Sequence, residues 1–225
     1  MKGESGYFYH VYNRGVDGRK IFQEPEDYLR FIHDLYEFND ENPALPYKWV
    51  KKKREEFGLQ SERRPIVNIL CFCLMPNHYH LLIQPCQEDG VTRFMRKLGT
   101  GYTMYFNTKY QRSGALFQGK FKHILIKSER YFLHLTRYIH LNPLDLFQPD
   151  WREKGIRDLN KARVFLEKYR WSSFLDYAGK KNFPSVICQD LISSLYPEED
   201  KYKQFVLSYV KTDLEKIRDS ILEDL

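Results

Sequence analysis

An α+β fold built around one antiparallel sheet is the architecture this chain of 225 residues predicts. Three observations carry that expectation. Strand-like and helix-like runs follow one another in the order β-α-β-β-α-β-α up to residue 142. Two of the strand runs are separated only by "MPN", which reads as a hairpin. Beyond residue 143 the patterning is helical, with no return to alternation.

The elements can be justified in order. Residues 6–14, "GYFYHVYNR", alternate aromatic and β-branched residues and read as a strand. Residues 25–39, "PEDYLRFIHDLYEFN", begin with proline and acids. They then repeat Leu29, Ile32, Leu35 and Tyr36 at helical spacing. Residues 40–65 are polar and charged, bounded by prolines, and predict a long surface excursion. Residues 66–74, "IVNILCFCL", are almost wholly apolar, as a central strand buried on both faces would be. After the turn, residues 78–84 form the next strand. There Tyr79, Leu81 and Ile83 share one face, and His78, His80 and Leu82 share the other. Residues 91–109 place Val91, Met95, Leu98, Tyr102, Tyr105 and Phe106 on one helical stripe. Residues 115–127 return to strand character, and 129–142 form a helix stopped at Pro143. This is a ferredoxin-like split βαβ plan with an additional helix. Residues 144–225 are expected to hold two or three helical stretches. The chain therefore divides into 1–145, with its charged insertion, and a helical C-terminal extension at 146–225.

Composition narrows the function classes. With 42% hydrophobic and 16% aromatic residues the chain can bury a real core. It has no apolar run of roughly 18 residues, so no membrane span is expected. The first residues, "MKGESGYFYHVYNRG", lack the apolar centre of a signal peptide. Cys71, Cys73, Cys86 and Cys188 do not space as a disulfide framework, and reduced thiols in the cytoplasm are expected. A net charge of +6 permits a polyanionic partner without demanding one.

The histidines pose the chemical question. Two imidazoles on alternate residues of a strand can converge on one cation, and an added oxygen ligand would suit Mg2+ or Mn2+. The pair could equally be ordinary core or surface histidines. Cys71 and Cys73 open a further alternative, a four-ligand zinc site with His78 and His80. A strand buried on both faces speaks against it, because buried free cysteines behave as small apolar residues. On the late helix, His134, Tyr138 and Asn142 form a polar stripe one turn apart, beside the core-facing Phe132, Leu135 and Ile139.

Five stretches, in order, resemble one known family. They are "YHVYNRG" with "IF" shortly after, "HYH" at 78–80, "RSGALFQGKFK" at 112–122, "RYIHLNP" at 137–143 and "WSSF" at 171–174. The chain resembles the single-tyrosine HUH transposases, and most closely their REP-associated tyrosine transposase branch. The resemblance runs from about residue 7 to about residue 177. The excursion at 40–65 is longer than the pattern suggests, and the segment after about 180 carries no matching motif.

The resemblance implies a ferredoxin-like sheet whose two histidines bind a divalent metal, Mg2+ or Mn2+, with a polar side chain from an additional catalytic helix. The matching residues are His78, His80 and Asn142, with Tyr138 as nucleophile. His134, one turn away, is a lesser candidate to take the phenol proton. The implied substrate is single-stranded or hairpin DNA, cleaved through a 5′-phosphotyrosine link. Arg14, Arg93, Arg96, Lys97, Arg112, Lys120 and Lys122 are the candidate DNA contacts. The alternative is a catalytically silent hairpin-DNA-binding protein of the same fold. Monomer and homodimer both remain compatible with the pattern.

Overall fold

A computed structural model describes residues 2–3, 6–43 and 63–211. Most of the 40–65 excursion and the last residues of the chain therefore lie outside the described residues. The sheet contains β1 (Lys2–Gly3), β2 (Gly6–Arg14), β3 (Val67–Met75), β4 (His78–Pro85) and β5 (Lys122–Ile126). β2 pairs antiparallel with β4 on one side and with β5 on the other, and β3 pairs with β4. The order β5-β2-β4-β3, with helices crossing between β2 and β3 and between β4 and β5, is the ferredoxin-like split βαβ arrangement.

The helices are α1 (Pro25–Glu37), α2 (Gly90–Lys109) and α3 (Glu129–Leu141). Helices α1 and α2 contact each other, and Tyr79 packs on Phe31 of α1 from β4. Helix α3 contacts β3, β4 and β5. Tyr79 and its strand-mates thus face α1 and α2, whereas the histidine face looks toward α3.

Three local expectations need correction. Leu29 is 42% exposed, and Tyr28, Phe31, Ile32 and Leu35 form the buried stripe of α1 instead. The reason is at the helix start. Glu24 and Asp27 form a reciprocal cap, and Asp27 turns inward, rotating the stripe. The expected strand at 115–127 shrinks to Lys122–Ile126. Gly114 and Gly119 adopt positive φ, and only a single bridge, Gly15 to Phe117, precedes the strand. The extension is more broken than expected. Six short helices follow residue 143 among the described residues: α4 (Leu144–Phe147), α5 (Trp151–Lys154), α6 (Leu159–Leu166), α7 (Phe174–Tyr177), α8 (Asp190–Leu195) and α9 (Glu199–Ser208). Gly155 at positive φ and Pro184 lie in the breaks between them.

The extension covers the outer edge of β3. The Leu74 amide donates to the Trp171 carbonyl at 2.9 Å and the Ser173 amide to the Phe72 carbonyl at 3.0 Å, so the "WSSF" stretch satisfies groups an open edge would expose. The Tyr177 hydroxyl donates to the Leu70 carbonyl at 2.7 Å, and Trp171 stacks on Tyr28 at 4.6 Å. Trp151, Phe174 and Tyr202 of the extension belong to the same continuous core as the sheet.

Two buried polar groups close the α1 side. Asn39 accepts the Ile66 and Val67 amides at 3.0 and 2.9 Å and donates to the Val67 carbonyl at 2.8 Å, tying the end of α1 to the start of β3. Asp27 accepts from five donors: Lys109 (2.7 Å), Tyr105 (3.0 Å), Tyr110 (2.7 Å) and the amides of Gln23 (2.8 Å) and Glu24 (3.2 Å). Burial alone would raise its carboxyl, yet Lys109, the two amides and Tyr110 together hold it below the ordinary carboxylate range. A depressed pKa contributes stability above the unfolded value near 4, and that contribution is lost as pH falls through the folded value. Asp27→Asn is therefore expected to cost about 2 kcal/mol near neutral pH. Urea unfolding at pH 7 and at acid pH should show the gap between the two proteins narrowing as pH drops. A gap independent of pH would contradict this role.

Candidate functional site

The site sits where α3 crosses the histidine face of the sheet. Strand alternation puts His10 and Tyr12 of β2 and His78 and His80 of β4 on that face. Helix α3 starts at Ser128, whose hydroxyl accepts the Tyr131 amide at 3.1 Å, and ends before Pro143. Its apolar stripe, Phe132, Leu135 and Ile139, is fully buried, so Tyr138 is turned toward the flank of the stripe and over the histidines.

The ring geometry is close. Tyr138 meets His80 edge-on with centroids 5.4 Å apart and His10 at 6.2 Å. His78 and His80 lie 5.1 Å apart, nearly perpendicular. Tyr12 flanks His80 at 5.8 Å, and the His10 Nε2 and His80 Nδ1 atoms share a hydrogen bond of 2.9 Å. Asn142 forms the C-terminal cap of α3 and is almost wholly buried. Its Nδ2 donates to the Tyr138 carbonyl at 2.7 Å, and its side chain lies near enough to the His78 ring to favour that ring's protonated form, while His78 Nδ1 shares a hydrogen bond of 2.7 Å with Asn77 Oδ1. Tyr138, His78, His80 and Asn142 are therefore brought together on one face.

Protonation states follow from burial. Burial lowers His78, takes His10 down to about 4, and lowers His80 well below its ordinary value with His10, His78 and Arg152 adding to it. These imidazoles are neutral at pH 7, the form that can ligate a metal. Burial also pushes the Tyr138 phenol up, with Arg152 opposing. Two neutral imidazoles at this spacing can both reach one ion at metal–nitrogen lengths of about 2.1 Å, and an amide oxygen beside them suits a hard divalent cation. Among the described residues no group of three or more His, Cys, Asp or Glu side chains is arranged to hold a metal. The candidate donor set is thus two imidazoles and one amide. Cys71 and Cys73 are buried with their thiols pushed up by burial, so they behave as small apolar residues rather than zinc ligands.

Sequence reasoning missed several neighbours. Arg152 of α5 places its guanidinium 4.9 Å over the Tyr138 ring. Its Nε donates to Asp145 Oδ1 at 3.1 Å, and Trp151 Nε1 donates to the same oxygen at 2.6 Å. Nothing in "WREK" marks this arginine, which reaches the site only through the reversal after Pro143. His10 carried a signal, since it shares a strand face with Tyr12 inside "YHVYNRG". His134 stacks 6.4 Å from Tyr138 and is lowered to about 4 by burial, then by Arg137 and Arg152. Its buried Nδ1 has no partner, so it makes no proton-accepting bond to the phenol through that atom.

The seven candidate DNA contacts do not form one surface. Arg96 and Lys120 line the same groove. Arg14 bonds Gln118, and Lys122 pairs in register with Tyr12, so both border the loop before β5. Arg112 is tied to Asn107 at 2.7 Å and to the Ala115 carbonyl at 3.2 Å. Arg93 is bound to Gln87 at 2.9 Å and Lys97 to the Asp40 carbonyl at 2.6 Å, both away from that loop.

Residues 38–142 match the family described as Transposase IS200 like. That segment is similar to the IS200-like transposases and spans a little under half of the chain. The match takes in β3, β4, α2, β5 and α3, and ends at Asn142. His10, Tyr12 and Arg152 lie outside it. One solved structure, described as the REP-associated tyrosine transposase bound to a REP hairpin, is similar at 16% identity and a TM-score of 0.46, covering 85% of this chain and 90% of that one. No curated protein matches the chain. Among the described residues no helix of this chain is long and apolar enough to cross a membrane.

The extension also locks α3 from behind. Fully buried His140 bonds the Tyr202 hydroxyl at 2.7 Å and the Ser173 hydroxyl at 2.8 Å, and Ser173 Oγ accepts the Phe72 amide at 2.9 Å. Ser173→Ala strands two buried polar groups and is expected to lower stability by about 2 kcal/mol. Equilibrium denaturation measures it, and a loss below a few tenths of a kcal/mol would remove Ser173 from this role.

Proposed function

We propose that the protein is a metal-dependent endonuclease and strand transferase acting on single-stranded DNA near hairpins, through a 5′-phosphotyrosine intermediate at Tyr138. The observation that carries this reading is the meeting of the Tyr138 ring with His80, beside His78 and Asn142, on one face of the sheet. Similarity of residues 38–142 to the IS200-like transposases supports DNA as the substrate.

His78, His80 and Asn142 would hold Mg2+ or Mn2+, which when bound supplies Lewis acidity to the scissile phosphate. The remaining steps belong to the chain. The Tyr138 oxygen attacks phosphorus in line, the bond from phosphorus to the 3′ oxygen breaks, and the departing oxygen ends as a hydroxyl after the phenol has lost its proton. The new phosphodiester to tyrosine keeps the bond energy, so a second 3′-hydroxyl can reverse the step and join strands without a nucleotide cofactor. Neutral His10 holds His80 in place through its ring nitrogen. Arg152, fixed by Asp145 and seated over the phenol ring, brings positive charge to a phosphate joined at that oxygen.

Tyr138→Phe is expected to form no covalent adduct on a hairpin oligonucleotide with single-stranded flanks, while binding within about twofold of the wild type. Adduct at the wild-type level on a denaturing gel would remove Tyr138 from its role. EDTA should abolish cleavage, and Mg2+ or Mn2+ should restore it; cleavage indifferent to EDTA would overturn the metal assignment. Arg152→Ala should slow single-turnover cleavage by about 100-fold with binding nearly unchanged, and Arg152→Lys should recover part of the rate. Tight hairpin binding with no product in either metal would favour the silent DNA-binding alternative.

A further inference from the structure

Strand β2 brings one more phenol to the histidine face. Tyr12 stands directly opposite His80 across the β2–β4 ladder, with ring centroids 5.8 Å apart, and its ring stacks on His10 at 4.9 Å. We propose that Tyr12 is a further catalytic residue, whose hydroxyl donates a hydrogen bond to one non-bridging oxygen of the phosphate attacked by Tyr138. The inference rests on the strand-transfer reading above and adds to it a group that touches the reacting phosphate.

The placement comes from the ladder. Residues directly opposite each other on antiparallel strands are side-chain neighbours, and their side chains stand roughly perpendicular to the sheet. His80 is held through Nδ1, which shares the 2.9 Å hydrogen bond with His10, so its Nε2 is left for the site. A phenol is longer than an imidazole. The Tyr12 ring is tilted only 30° from that of His80, so its hydroxyl stands past the imidazole, where a phosphate in front of the two histidines would lie. Tyr138 approaches from another direction, meeting the same imidazole at 84°. Its phenol is pushed up first by burial, with Arg152 opposing and Asp145 and Tyr12 adding to the rise, so the two hydroxyls are within electrostatic reach of each other.

The Tyr12 hydroxyl is also uncommitted. Other tyrosines of the fold use theirs within the chain: Tyr102 donates to the Ile21 carbonyl at 2.6 Å, Tyr169 to the Leu74 carbonyl at 2.7 Å, Tyr177 to the Leu70 carbonyl at 2.7 Å, and Tyr105 and Tyr110 to Asp27. Among the described residues no hydrogen bond engages the hydroxyl of Tyr12, although the residue is half-buried. Its neighbours in "YHVYNRG" do have polar partners. His10 holds His80, Asn13 donates to the Gly119 carbonyl at 3.2 Å, Arg14 bonds Gln118, and the Gly15 amide donates to the Asn77 carbonyl at 2.8 Å. Packing accounts for the Tyr12 ring; it does not account for the oxygen.

The step balances with Tyr12 as a spectator to the proton count. The Tyr138 oxygen bonds to phosphorus, the bond from phosphorus to the 3′ oxygen breaks, and the proton the phenol loses is matched by the one the departing oxygen gains. Tyr12 keeps its own proton throughout. Negative charge gathers on the non-bridging oxygens as the phenol oxygen arrives, and a neutral donor already fixed on a strand stabilises that charge without reorganising. One donor of this kind is worth about 100- to 1000-fold in rate.

Tyr12→Phe keeps the ring on His10 and His80 and removes only the donor. The reaction is single-turnover cleavage of a hairpin oligonucleotide in Mg2+. The substrates carry the natural phosphate, or a phosphorothioate of either configuration, at the position the wild type joins to Tyr138. On the natural phosphate Tyr12→Phe should slow adduct formation about 100-fold, with hairpin affinity within about twofold and the melting temperature unchanged. Sulfur is a weak acceptor, so the configuration that turns sulfur toward Tyr12 should slow the wild type about tenfold or more and slow Tyr12→Phe hardly at all. The opposite configuration should penalise both proteins equally. A packing role would leave both sulfur penalties as they are in the wild type. The assignment is overturned if Tyr12→Phe reacts within about threefold of the wild type, if both penalties survive in the variant, or if the loss lies in hairpin affinity. A wild type that forms no tyrosyl adduct sinks the nuclease reading and this one with it, whereas an adduct formed at unchanged rate by Tyr12→Phe sinks the role of Tyr12 alone.

Discussion

The seating of α3 on the sheet is the contact from which the site follows. Phe132, Leu135 and Ile139 are buried against the histidine face, and burial of each is worth about 1.5–3 kcal/mol. That stripe fixes the rotation of the helix. With the rotation set, the 3.6-residue period leaves Tyr138 no direction but over His80, and puts Asn142 one turn on, beside His78. Rotating the helix enough to aim the phenol elsewhere would expose the stripe.

The extension reinforces the same placement from the other side. His140 joins α3 to Tyr202 and Ser173, Arg137 lies 4.6 Å over Phe205, and His134 meets Tyr209 at 5.3 Å. Helix α3 is thus held between the sheet and the α9 region. "WSSF" does related work at the edge of β3, where its backbone completes the ladder. The extension then serves twice: it removes an open sheet edge and it returns Arg152 to the phenol.

Much of this was legible in the residues, and for physical reasons. Strand alternation places His78 and His80 together whatever surrounds them, and the helical period does the same for Tyr138 and Asn142. The hairpin was equally local, because Pro76 and Asn77 leave only a two-residue turn between β3 and β4. What escaped depended on longer-range events. The stripe of α1 turned because an inward carboxylate gathers five donors from two segments. β5 was shortened by two glycines whose φ no pattern reveals. Arg152 was unreadable because its relation to Tyr138 is made by a chain reversal, and of the seven basic candidates only those around the β5 loop cluster, the others being drawn off to local acceptors.

The central claim is that two imidazoles, one amide oxygen and one phenol form a single cation-dependent site. Anomalous diffraction from crystals soaked in Mn2+ addresses it directly. A single strong peak within coordination distance of His78 and His80, facing Asn142 and Tyr138, is the predicted result, with the peak lost in His80→Ala. A peak that binds elsewhere, or no ordered Mn2+ at the histidines at millimolar concentration, would contradict the account.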